Sequence, residues 1–78
     1  MNLLKAEFNR QYIIKQINLD QEFKQKLYNL GIIEGSVIKK VYNSALLDPI
    51  AYEIKNIIFA LRNEDSKYIE VCENNEKL

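Results

Sequence analysis

The sequence predicts a mainly β fold, a small β-barrel of about five antiparallel strands with one short α-helix. Three observations lead there. The chain has 78 residues, 47% of them hydrophobic, which suits one domain with a thin core. An alternating run, Ile50–Ile54, and an apolar run, Ile57–Leu61, flank the two-residue step Lys55-Asn56, the mark of a β-hairpin. A single helical stripe of Phe23, Leu27 and Leu30 lies between residues suited to start and stop a helix. Five strands around a thin core leave fewer exposed edges as a barrel than as an open sheet.

Taken in order, Asn2–Arg10 has no clear period. Gln11–Asn18 alternates partly, with Tyr12, Ile14 and Ile17 on one face, and reads as the first strand. Asp20 is the expected N-cap, its carboxylate accepting from free first-turn amides, and Glu22 adds a second acid. Gly31 is the expected left-handed residue after the helix, with Ile32 packing back on Leu27 in a Schellman ending. Glu34-Gly35 is a turn. Ser36–Asn43 is the second strand, with Val37 and Val41 opposite Ile38 and Tyr42. Ser44–Pro49 is a loop, and Asp48 before proline is biased to an extended conformation. The hairpin follows, its apolar return strand bracketed by Lys55 and Arg62. Asn63–Lys67 makes a polar helical turn. Tyr68–Cys72 closes the fold, with Ile69 and Val71 on one side. Ile38, Ile54, Phe59, Leu61, Ile69 and Val71 are the expected core, with Leu27 and Leu30 packing the helix on it. Residues 1–72 form the single domain and 73–78 a polar tail.

Composition excludes several functions. Eleven basic residues balance eleven acidic ones. Residues 1–39 hold six basic and four acidic side chains, and residues 40–78 hold five and seven. Neither half is the concentrated basic surface that nucleic-acid binding uses. The longest apolar run, Ile57–Leu61, is far short of the about 20 residues of a spanning helix, so no direct membrane insertion is expected. Met1–Ala6 has one lysine and no following apolar region, so no secretory leader is expected and the localisation reads as cytoplasmic.

No catalytic kit emerges. The chain has no histidine and one cysteine, which removes the His-based nucleophile pairs and closed His/Cys zinc sites. Cys72 alone, and the acids Glu64, Asp65 and Glu70, are weak metal candidates; solvated surface residues explain them as well. Nothing in the sequence joins Glu34 to Glu53 as an acid/base pair. The reading is therefore no enzyme, no cofactor and no metal site. Five tyrosines could line a peptide groove, but core and rim positions account for most of them.

The order of features resembles the FeoA family. Leu27-Tyr28-Asn29-Leu30-Gly31-Ile32-Ile33-Glu34-Gly35-Ser36 is similar to that family's helix end and turn. Asp48-Pro49-Ile50, Phe59-Ala60-Leu61-Arg62 and Tyr68-Ile69-Glu70-Val71 are similar to its later segments, in order and correctly spaced. The match spans about Gln11 to Val71. It departs at Glu34 (usually proline), Leu47 (frequently glycine), Asn56 (the hairpin glycine) and Ser66 (commonly alanine). The resemblance implies an SH3-like barrel that accompanies a FeoB-type ferrous-iron transporter and acts on its cytoplasmic GTPase region. A similar barrel is appended to iron-dependent repressors. The alternative function is thus a stand-alone regulatory barrel that binds a metal-dependent transcriptional regulator or a second copy of itself. The resemblance brings no catalytic residue.

Leu47 in place of glycine leaves Ala45-Leu46-Leu47 as an apolar loop tip. Leu46 and Leu47, with Tyr42 just before the loop, are the candidate partner-binding residues, because closely spaced apolar side chains on a loop mark contacts when exposed.

Overall fold

A computed structural model describes residues 1–74. It contains β1 (Gln11–Ile17), α1 (Gln21–Asn29), β2 (Val37–Asn43), β3 (Ile50–Ile54), β4 (Ile57–Leu61), α2 (Asn63–Ser66) and β5 (Ile69–Glu73), preceded by a 3-10 turn at Leu3–Lys5. The five strands pair antiparallel in the order β4-β3-β2-β1-β5. β4 and β5 are the two ends of this ladder. Residues from both ends, Leu61, Ile69 and Val71, nevertheless share one core with Ile38, Tyr52 and Tyr12. The sheet is therefore curled around a common interior, as an SH3-like barrel requires.

Local signals set α1. The Phe23 amide donates to the Asp20 carboxylate at 2.9 Å. At the other end Ile32 N donates to the Leu27 carbonyl and Gly31 N to that of Tyr28, both at 2.9 Å, with Gly31 at φ +86°. These two bonds define the Schellman ending. The helix is the link between β1 and β2, and Leu27 anchors it in the core.

Two bulges decide which side chains face inward. In β1 the register against β5 shifts between Ile14 and Gln16, so Tyr12, Ile14 and Ile17 are all buried. In β2 the register against β3 shifts between Lys40 and Tyr42. An extra residue in one strand reverses the alternation beyond it. Ile38 is fully buried, Lys40 is buried, and Tyr42 faces outward instead of sharing the Ile38 face.

Two expected core residues differ. Leu30 is 59% exposed, because it is the C-cap, where the chain has already left the helical path. Ile32, fully buried, takes the inward position. Phe59 is only half-buried, leaning on Tyr52 with ring centroids 6.3 Å apart. It lies on an end strand, with no further strand over it.

The N-terminal segment carries structure that its sequence does not announce. Leu3 is fully buried. Lys40 Nζ donates to the Leu4 carbonyl at 2.7 Å, and Asn9 N donates to the Lys40 carbonyl. Burial holds the Lys40 ammonium below its usual range. β5 ends at Glu73, whose carboxylate pairs with Arg10 at 2.6 Å, and Asn74 N donates to the Gln11 carbonyl. The remainder of the expected polar tail, 75–78, lies outside the described residues.

Candidate functional site

The loop between β2 and β3 presents the apolar tip. Leu46 is 86% exposed and Leu47 61% exposed, so neither folds back onto the core. The outward turn of Tyr42 puts it at the base of the same loop, 57% exposed. All three residues singled out in the sequence thus stand at one end of the barrel.

The loop is held by its own hydrogen bonds. Ser44 Oγ accepts from Asp48 N at 3.1 Å, and the Ser44 carbonyl accepts from Leu47 N at 3.0 Å. The Asp48-Pro49 peptide is cis. Across the loop, α2 supplies the anchor: Asn63 N donates to the Asp48 carboxylate at 3.0 Å, and Asn63 Nδ2 donates to the Leu47 carbonyl at 3.1 Å. With its backbone fixed, the tip loses less freedom when something binds it.

Leu47 holds φ at +64°. A side chain with a Cβ costs roughly 1–2 kcal/mol in that conformation, and glycine avoids it. An exposed leucine at such a position contributes little to the core and strains the backbone. Strain of this kind points toward a role outside the fold.

Beside Tyr42 lies a shallow hollow of about 150 Å³ lined by Ser44, Pro49, Ala51 and Ala60. Ala51 and Ala60 pair across the hairpin, and Tyr42 is opposite Ala51. Sequence reasoning missed this hollow. Counting outward from Lys55-Asn56 sets Ala51 against Ala60, so that much of it was legible. Asn63 as the loop's anchor had no sequence signal, because its partners are fifteen residues or more away in the chain.

The other candidates are dispersed. Glu34 accepts from the Tyr28 hydroxyl at 2.8 Å and pairs with Lys24. The Tyr28 bond, with the backbone, holds its carboxyl below the usual range. Glu53 pairs with Lys39, so each of these two acids has its own lysine partner. Glu70 meets the N-terminal ammonium at 3.0 Å, and Cys72 is exposed on β5. Among the described residues no group of three or more His, Cys, Asp or Glu side chains gathers as a metal site. Tyr12 and Tyr52 are buried, whereas Tyr42 and Tyr68 are exposed, so the tyrosines do not line one groove. No helix among the described residues is long and apolar enough to cross a membrane.

The FeoA domain family profile matches residues 1–72. A Campylobacter jejuni protein, provisionally assigned as Fe(2+) transport protein A, is 30% identical over 71 residues, covering 91% of this chain and 96% of that one. A Porphyromonas gingivalis Fe(2+) transport protein A/Fe(2+) transporter FeoB fusion protein is also 30% identical over 71 residues; this chain spans only 8% of its length. The solution structure of iron(II) transport protein A from Clostridium thermocellum superposes with a TM-score of 0.86 at 30% identity, covering 94% of this chain and 45% of that one. The chain belongs to the FeoA domain family and has its SH3-like β fold.

Proposed function

We propose that this chain is a non-enzymatic accessory module of ferrous-iron transport. It works in the cytoplasm, where it docks on the GTPase region of a FeoB-type transporter through Tyr42, Leu46 and Leu47. The observation that carries this reading is the fusion relative, in which a segment like this chain is continuous with an Fe(2+) transporter. Covalent joining keeps two modules at high effective concentration, which is useful when they work in contact. The exposed tip, its fixed backbone and the strain at Leu47 support the choice of surface. Apolar side chains in a preorganised loop suit a protein partner, since they lose little freedom and shed water on docking.

Ferrous-iron uptake in cells lacking this chain but retaining the transporter tests the reading. Uptake falls in the deletion and returns with the wild-type chain. A variant carrying Leu46→Asp and Leu47→Asp, expressed at the wild-type level, fails to restore it. Full restoration by that variant would move the docking face elsewhere, and normal uptake without the chain would remove the transport role.

A further inference from the structure

Two departures from what a fold ordinarily favours meet in one hydrogen bond. Leu47 stands at φ +64°, where a Cβ strains the backbone. Asn63 carries a buried Oδ1 with no hydrogen-bond partner among the described residues, and an unpaired buried acceptor is destabilising. These two residues are bonded to each other: Asn63 Nδ2 donates to the Leu47 carbonyl at 3.1 Å. Turned over, the side-chain amide would set its oxygen against that carbonyl, acceptor against acceptor. The bond to Leu47 therefore keeps Oδ1 in its unpaired place. For α2 alone an acid would serve better than asparagine at this first-turn position, but a carboxylate has no N–H to give.

Asn63 holds the loop in two ways. Its backbone N–H donates to the Asp48 carboxylate, and that bond survives a change of side chain. The side-chain amide is given to Leu47. With Leu47 N bonded to the Ser44 carbonyl, both backbone polar groups of Leu47 are held. We infer that Asn63 is a positioning residue for docking: its side-chain amide holds Leu47 in the left-handed conformation and so keeps Leu46 and Leu47 presented to the partner. This inference rests on the transporter reading and names the residue that prepares its surface. Local rules are broken where function requires it, and here both breaches are ends of one bond. Without that bond Leu47 relaxes toward the negative φ its side chain prefers, and the tip must be ordered again at each encounter. Reordering a single residue weakens association by about tenfold.

Two measurements on the full chain test the assignment. Backbone amide relaxation by NMR reads the order of Leu46 and Leu47 in the free chain. Wild type should give order parameters of about 0.85 there, and Asn63→Ala should lower them below about 0.6. Its melting temperature should stay within about 5 °C of wild type. Asn63→Asp keeps the size of the side chain and suits α2 but lacks the donor, so it should loosen the tip in the same way. Titration into the purified GTPase region of a FeoB-type transporter from the same cell reads docking. Asn63→Ala should raise the dissociation constant about tenfold. Leu47→Ala should raise it too. The double variant should lose less than the product of the two single losses, since a loosened tip already presents residue 47 poorly. Unchanged order at the tip in the folded Asn63 variants overturns the inference, whatever they bind. So does wild-type affinity in a variant whose tip is loosened. Losses that multiply in the double variant would make Asn63 an independent contact of the partner, and unfolding of both Asn63 variants would make it a support of the barrel; either result also overturns it. If the wild type does not bind, the transporter reading falls and this inference with it, whereas the other outcomes overturn this inference alone.

Discussion

Leu47 shows what a single residue can carry. Its φ of +64° costs the fold, and its side chain is 61% exposed. Glycine there relieves roughly 1–2 kcal/mol of strain and adds about 0.5–1 kcal/mol of unfolded-state entropy. Leu47→Gly should therefore leave stability unchanged or raise it by about 1 kcal/mol in urea denaturation, while weakening partner binding. Loss of stability would show that Leu47 packs on the protein itself. Tyr52 is a second case. Its ring is fully buried and its hydroxyl has no hydrogen-bond partner among the described residues. Burial pushes the phenol up from its usual 10.0, Ser66 opposes this without reaching hydrogen-bond geometry, and the Asp48 charge adds to the rise. The unfolded chain thus loses this proton at a lower pH than the folded one. The contribution is complete below pH 10 and is lost as pH rises through the folded value. Tyr52→Phe should gain about 1 kcal/mol at neutral pH and decline less steeply above pH 10. Lys40 acts with the opposite sign: its lowered value makes stability rise as pH approaches 10.5. A Tyr52→Phe variant with the wild-type alkaline slope would contradict the assignment. At this scale the sequence revealed identity better than environment. Leu47 stood out because glycine is frequent there in the family, but the buried Lys40 gave no sign of itself, since its partner, the Leu4 carbonyl, is remote in the chain.

At the scale of elements, what could be read was what is locally determined. The α1 caps and the β3–β4 hairpin depend on residues within a few positions of each other, and both stand where the sequence puts them. Asp20→Ala should cost about 1 kcal/mol by removing the bond to Phe23 N. Gly31→Ala should cost about 1–2 kcal/mol. A Cβ at Gly31 meets nothing within 4 Å, so that cost is backbone strain alone, and Gly31→Asn should recover part of it. Urea denaturation with an unchanged m-value checks all three, and a neutral Gly31→Ala would contradict the left-handed C′ assignment. The β1 bulge showed only as the shared face of Tyr12, Ile14 and Ile17, and the β2 bulge was not legible, because each is a property of two strands in register. That is why Tyr42 was expected on the Ile38 face and is found outside. Leu30 failed for a related reason: the helical stripe was extended through the residue where the helix stops.

For the whole molecule, alternation and hairpin spacing were enough for five antiparallel strands and one helix, but the packing of the first ten residues was not. Leu3 reaches the core, and Met1 and Asn2 cover the β5 edge through contacts nearly the whole chain length away. The arrangement leaves two surfaces with distinct chemistry. One is a fixed apolar loop tip. The other is an open strand edge. The central claim is that the tip meets the transporter. Isothermal titration of the full chain into the purified GTPase region of a FeoB-type transporter from the same cell measures this most directly. Saturable binding is predicted for the wild type. Leu46→Asp with Leu47→Asp should weaken it at least about tenfold, with a melting temperature within a few degrees of wild type, since both residues are exposed. Unchanged affinity in the folded double variant, or no binding by the wild type, would contradict the account.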